Sequence, residues 1–162
     1  MNYYQTQVVS TSPMPGTNLA ALRPTDTAHT AMGWGTDPEG LGDLLRRLHR
    51  DYGDIPLYVT ENGAAYDDVV TEDDAVHDPD RIAFLEGHFA AAAGAIADGV
   101  PLKGYFVWSL MDNFEWAHGY SKRFGIVHVD YATQQRRIKD SGRWYADVIA
   151  SHRAITRDGS AG

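Results

Sequence analysis

The sequence contains no cysteine. That excludes a disulfide framework, a thiolate metal site and a cysteine nucleophile. It suits a reducing compartment, so a cytoplasmic location is the expectation. Positive charge is also scarce. Lys and Arg number 14 against 22 Asp and Glu, a formal net charge of −8. Nucleic-acid and anionic-membrane surfaces need clustered cations, so no nucleic acid and no membrane is expected as a partner. No run is long and apolar enough to cross a bilayer. Met1-Asn2-Tyr3-Tyr4-Gln5 has neither the basic nor the apolar region of a signal peptide. Metal-ligand spacing is missing as well. The seven histidines include no His-x-x-x-His pair. The acidic stretch Asp67, Asp68, Glu72, Asp73, Asp74, Asp78 and Asp80 lacks the spacing and the glycine of a calcium loop. It reads as a solvated loop leading into a helix N-terminus, where acids suit the dipole. Gly33-Trp34-Gly35 has its third glycine misplaced and no strand leading into it, so it is no dinucleotide fingerprint. No metal and no cofactor is expected.

What is present is an ordinary globular composition, 43% hydrophobic over 162 residues, with a strong helix–strand rhythm. Asp37 and Pro38 open a helix whose apolar stripe is Leu41, Leu44, Leu45, Leu48 and Tyr52; Gly53 closes it. Leu57 to Thr60 then reads as a short buried strand. Asp78-Pro79 opens a second helix with Ile82, Leu85, Phe89, Ala92, Ala93 and Ile96 inward; Gly99 and Pro101 end it. Tyr105 to Trp108 reads as another strand. A third helix starts near Ser141 with Trp144, Tyr145, Val148 and Ile149 inward, and Asn2-Tyr3-Tyr4 reads as a strand stub. Strand and helix alternate three times, which implies parallel strands. A doubly wound open sheet and part of a (β/α)8 barrel both fit this pattern. A complete barrel needs roughly 250 residues.

Ligands meet the carboxyl ends of strands in such folds. Those ends carry Tyr4, Glu61 and Trp108, and Glu115-Trp116 follows a few residues later. Carboxylates beside large aromatic faces suit a sugar, whose C–H face packs on the ring while its hydroxyls donate to carboxylate oxygens.

The segments Asn2-Tyr3-Tyr4, Gly33-Trp34, Pro38-Glu39-Gly40-Leu41, Tyr58-Val59-Thr60-Glu61-Asn62-Gly63 and Gly104 through Trp116, with Arg123-Phe124-Gly125 and Val129-Asp130-Tyr131, stand in an order and at a spacing that resembles the C-terminal third of family 1 glycoside hydrolases, the β-glucosidase family. The resemblance extends to about Ile149. It implies the last three βα units of a (β/α)8 TIM barrel over residues 1–156, followed by a polar tail at 157–162. It implies that Glu61 is the nucleophile of a retaining glycosidase and that Tyr4 orients it. Trp108 would be the floor beneath the sugar, with Glu115 and Trp116 gripping hydroxyls and Phe124 lining the same subsite. Members that act on phosphorylated sugars tend to carry serine in place of Glu115; a carboxylate repels phosphate, so an unphosphorylated β-glycoside or oligosaccharide is the expected substrate.

Retaining hydrolysis needs a second carboxyl group. The family carries it in an Asn-Glu-Pro motif on an earlier strand, and this chain contains no Asn-Glu-Pro. The expectation is therefore a fragment, or one piece of a split gene, inactive alone and partnered by the N-terminal portion of the barrel. Two other functions stand beside this one. One is a non-catalytic carbohydrate-binding remnant that keeps Trp108, Glu115 and Trp116. The other is a small flavodoxin-like nucleotide domain, for which no phosphate-cradling loop is visible.

Overall fold

A computed structural model of the protein describes residues 1–13, 20–22 and 27–158. The elements run β1 (Val9–Pro13), β2 (Ala20–Leu22), α1 (Pro38–Tyr52), β3 (Leu57–Asn62), α2 (Pro79–Ala97), β4 (Leu102–Val107), β5 (Val127–Val129), β6 (Arg136–Ile138) and α3 (Asp140–Asp158), with a 3-10 turn at Trp116–His118. Two compact units share them. The first comprises residues 1–62 and 86–107, the second residues 63–85 and 108–162.

In the first unit, β3 and β4 pair in parallel, with Leu57 opposite Leu102 and Val59 opposite Tyr105. Asn2 forms an isolated parallel bridge to Glu61 on the other side of β3. The expected strand stub is thus present as a single bridge. The Asp37 side chain caps α1 by accepting from Gly40 N, and Gly53 ends the helix at φ 76°, a backbone state that favours glycine. Leu41 and Leu45 pack with Tyr3, Val59, Ala92, Ala95 and Val100 in one core cluster. β1 and β2 form an antiparallel pair that the sequence pattern did not suggest.

In the second unit, β5 and β6 form a short antiparallel ladder in which His128 faces Arg137. This hairpin was not expected either, because each strand is only three residues long. Ala64, Ala65, Val76, Phe84, Leu85, Phe124, Ile126 and Val129 are buried there.

Several expected inward faces are rotated. Along α2 the buried positions are Arg81, Phe84, Leu85, His88, Ala92 and Ala95, while Ile96 is half exposed and Ala93 is exposed. The buried stripe lies one residue earlier than hydropathy suggested, because an arginine and a histidine occupy inward positions. Tyr52 and Ile149 also lie at the surface. The acidic stretch divides. Glu72, Asp73 and Asp74 are exposed, but Asp78 is buried and the Asp68 side chain is only 2% exposed. The solvated-loop reading fails for those two, because each has a buried cation to pair with. α3 continues through Asp158, and residues 159–162 of the expected tail lie outside the described residues. Among the described residues no helix is long and apolar enough to cross a membrane.

Candidate active site

The half-buried Glu61 occupies the next-to-last position of β3. Its backbone carbonyl accepts from Tyr3 N at 2.9 Å. Side chains of an extended segment alternate, so Tyr3 turns into the core and Tyr4 turns toward the carboxylate. Tyr4 Oη donates to Glu61 Oε2 at 2.8 Å. The Tyr4 ring is itself set edge-on against Trp34, with centroids 5.6 Å apart. Trp34 thus packs against the residue whose hydroxyl bonds the Glu61 carboxylate.

The neighbours of Glu61 hold the segment that carries Tyr4. Asn62 is fully buried; its Nδ2 donates to Tyr3 O at 2.8 Å, and its Oδ1 accepts from Tyr105 Oη at 2.5 Å. Phe89 packs edge-on against Tyr105. The Thr60 hydroxyl donates to Asn2 Oδ1 at 2.6 Å and lies 3.0 Å from Met1 O. As a pair, Asn62-Gly63 reads in the sequence as a turn signal. In the structure Asn62 is instead a strand residue whose amide ties two backbone segments together. No pattern in the sequence alone distinguishes these two uses of asparagine.

The remaining expected site residues belong to the second unit. Trp108 is half-buried, and its peptide bond to Ser109 is cis. Residues 109–112 then lie alongside 124–127. Ser109 N donates to Phe124 O at 3.1 Å, Ile126 N to Ser109 O at 2.9 Å, Val127 N to Leu110 O at 2.9 Å and Asp112 N to Val127 O at 3.0 Å. Gly125 is required by this approach, since a Cβ there would stand 2.2 Å from Asp112 N. A Cβ on Gly63 would likewise stand 1.7 Å from the carbonyl oxygen of Trp108. Gly63 therefore serves a close backbone approach.

Beyond Asp112 the chain turns at Trp116–His118. Glu115 is half-buried, with its N–H donating to Gly119 O at 2.6 Å, and Trp116 is 83% exposed at φ 43°. Trp108, Asn113, Phe114, Tyr120 and Tyr131 line an open concavity of about 470 Å³. The structure places Trp108 in its wall. Glu115 and Trp116 are not among its lining residues. Phe124, expected to line a subsite, is only 2% exposed and lies outside that lining.

Asp112 was not foreseen as important, yet four donors converge on its carboxylate. Oδ1 accepts from Gly125 N and Lys139 Nζ, both at 3.0 Å, and Oδ2 accepts from Arg123 Nη1 at 2.5 Å and Val129 N at 3.3 Å. Lys139 Nζ also donates to Asp68 Oδ2 at 2.5 Å. Arg81 grips Asp68 with two nitrogens, at 3.0 and 2.8 Å, and pairs with Asp78. Asp78 in turn accepts from Ser141 N at 2.8 Å and Ser141 Oγ at 2.5 Å. Burial, reinforced by Arg81, holds the Lys139 ammonium below the ordinary lysine range, against the pull of Asp68 and Asp112. Burial also opposes the Arg81 charge, but Asp68 and Asp78 outweigh it and the guanidinium sits above its usual value.

Comparison with known proteins places these features in context. The profile described as "Glycosyl hydrolase family 1" matches residues 1–154. Beta-glucosidase A of Thermotoga maritima is 52% identical over 152 residues, covering 94% of this chain and 34% of the relative. A 1,4-beta-D-glucan glucohydrolase of Thermotoga neapolitana matches with the same figures. A bifunctional beta-D-glucosidase/beta-D-fucosidase of Bifidobacterium breve is 46% identical over 170 residues, covering 95% of this chain and 37% of the relative. Among solved structures, the family 1 β-glucosidase of Thermotoga maritima superposes with a TM-score of 0.88 at 53% identity, over 92% of this chain and 33% of that one. The same enzyme in complex with deoxynojirimycin gives 0.88. These neighbours are (β/α)8 barrels, and the chain spans about a third of the length of the relatives it matches. Of the two architectures the strand–helix rhythm allowed, the partial barrel is the one present, and the chain belongs to glycosyl hydrolase family 1.

Proposed function

We propose that this chain carries the nucleophile-bearing part of a retaining β-glucosidase-type hydrolase that acts on unphosphorylated β-glycosides. The single observation behind this reading is the Tyr4–Glu61 hydrogen bond at 2.8 Å, which aims a half-buried carboxylate at the end of a parallel strand. Glu61 attacks the anomeric carbon. The C–O bond to the leaving group breaks, and an ester joins the sugar to Glu61 Oε. Water then cleaves the ester and restores the carboxylate. A second carboxyl group protonates the departing oxygen in the first step and takes the water's proton in the second. In the family resemblance that group belongs to an Asn-Glu-Pro motif, which the sequence lacks. On its own the chain therefore hydrolyses ordinary β-glucosides negligibly, and its partner is polypeptide supplying the other barrel units.

Glu115 accepts hydrogen bonds from two sugar hydroxyls, Trp116 donates its indole N–H to another, and Trp108 packs beneath the ring. Binding energy at such remote groups helps distort the ring toward an oxocarbenium-like transition state. A carboxylate at position 115 disfavours a phosphorylated sugar, and the names of the relatives, glucosidase, glucohydrolase and fucosidase, support a neutral one.

Co-expression with the N-terminal two thirds of the Thermotoga maritima enzyme tests the reading. The expected result is hydrolysis of an aryl β-glucoside that falls to background in Glu61→Gln. Hydrolysis untouched by that substitution would overturn the nucleophile assignment.

A further inference from the structure

Trp108, Glu115 and Trp116 lie on one loop, residues 108–116, and the middle of that loop is not held by apolar packing. Leu110, Met111 and Phe114 are 64%, 41% and 59% exposed. The buried member is Asp112, at 4%. Its carboxylate takes hydrogen bonds from two backbone amides on the adjacent segment, Gly125 N and Val129 N, and from two cations, Arg123 and Lys139. Arg123 lies close by in sequence, on the segment that pairs with the loop. Lys139 arrives from the end of β6, and its second partner is Asp68, five residues after Gly63.

We propose that Lys139 is a positioning residue for the sugar-gripping loop: by bridging Asp112 to Asp68, its buried ammonium fixes residues 108–116 against the segment that follows the nucleophile strand. Three features support a positioning role. The Lys139 side chain is fully buried, so its two bonds have no water to compete with them. The charges balance locally: Asp68, Asp78 and Asp112 face Arg81, Arg123 and Lys139. Such networks contribute little net stability compared with apolar packing of the same volume, but removing one member leaves its partner's charge buried and uncompensated. The backbone contact between Gly63 and the Trp108 carbonyl leaves no room for sliding at the start of the loop, and Lys139 supplies the corresponding restraint at its centre. The proposal rests on the glycosidase reading only for the purpose of the loop, not for its geometry.

The test uses the full chain labelled with 5-fluorotryptophan, which reports on Trp34, Trp108, Trp116 and Trp144 separately by 19F NMR. Two variants are compared with the parent: Lys139→Met, and the charge-balanced Lys139→Met/Asp68→Asn. Asp74→Asn is the control, since it removes the exposed partner of Arg137 without touching Asp112. The expected result is that the Trp108 and Trp116 resonances shift or broaden in both network variants. The Gly125 and Val129 amides should exchange at least tenfold faster. Trp34 and the amides of α1 should be unchanged, and the control should match the parent. Folded variants in which the Trp108 and Trp116 signals and both amides stay as in the parent would overturn the proposal. So would failure of both variants to fold, because the network would then act on the fold as a whole. Titration of the parent with deoxynojirimycin separates the two readings. If Trp108 and Trp116 ignore that probe while responding to the Lys139 variants, the sugar-binding reading fails and the positioning role stands.

Discussion

Around Glu61 the chain is held by neutral groups, whereas around Asp112 it is held by ions. Tyr4, Thr60, Asn62 and Tyr105 fix the strand corner through hydroxyls and one amide. Asp112, Lys139, Asp68 and Arg81 fix the loop through full charges, nearly all removed from solvent. The contrast has an electrostatic logic. A buried ion beside a carboxylate acts on it strongly in a low-dielectric setting. The neutral Tyr4 hydroxyl bonds the Glu61 carboxylate without adding a net charge next to it. The carboxylate of Asp112 is instead taken up by four donors.

The largest expected effect breaks the ionic side. Asp112→Ala leaves the buried Lys139 and the half-buried Arg123 without their shared partner and should destabilise the second unit by about 3–5 kcal/mol. Urea unfolding read from near-ultraviolet dichroism checks the size. Hydrogen exchange should show α1 amides less affected than those of Gly125 and Val129. Next, Asn62→Leu breaks the neutral side. It removes the bonds that Asn62 makes to Tyr3 O and Tyr105 Oη and should cost about 1–3 kcal/mol, with the loss concentrated in the amides of β3 and β4. Equal loss of protection in both units for either variant would erase the contrast.

The smallest effect concerns two histidines with opposite signs. Hydrogen bonds that His77 donates to Asp140 and then to Asp73 raise the pKa of this exposed imidazole. Its protonated form favours the folded state, so that contribution is present below the ordinary histidine value of about 6.5 and fades as pH rises through the elevated folded value. Burial, then Arg123, lowers the pKa of His128, which is 6% exposed. The unfolded chain takes up that proton more readily, so His128 subtracts stability as pH falls below about 6.5. His77→Gln should therefore steepen the acid-side loss of stability, and His128→Phe should flatten it, in melting curves taken from pH 5 to pH 8.

The neutral corner was the more legible region. Glu61 ends an apolar run, Tyr4 sits in a short aromatic stub, and the caps of α1 at Asp37 and Gly53 were visible as local chemistry. The ionic network was not legible, because its members are spread from Asp68 to Ser141 and each alone looks like an ordinary surface residue. Arg81 is the clearest case. In an alternating hydropathy pattern it marks the outer face of α2, and only its three-dimensional partners turn that face inward. Phe124 shows the converse. The family resemblance implied a ligand contact for it, while the structure gives nearly all of its surface to packing. Side-chain type reveals what a residue is able to do, but burial is decided by partners that sequence distance conceals.

The approach of Gly63 to the Trp108 carbonyl limits how this molecule can be recombined with its relatives. A chimera joined anywhere between those two positions would draw the glycine from one parent and the facing carbonyl from the other. Because a missing methyl group is the whole tolerance at that point, small differences in strand stagger between the parents would appear there first, so productive crossovers should fall before residue 63 or after residue 108.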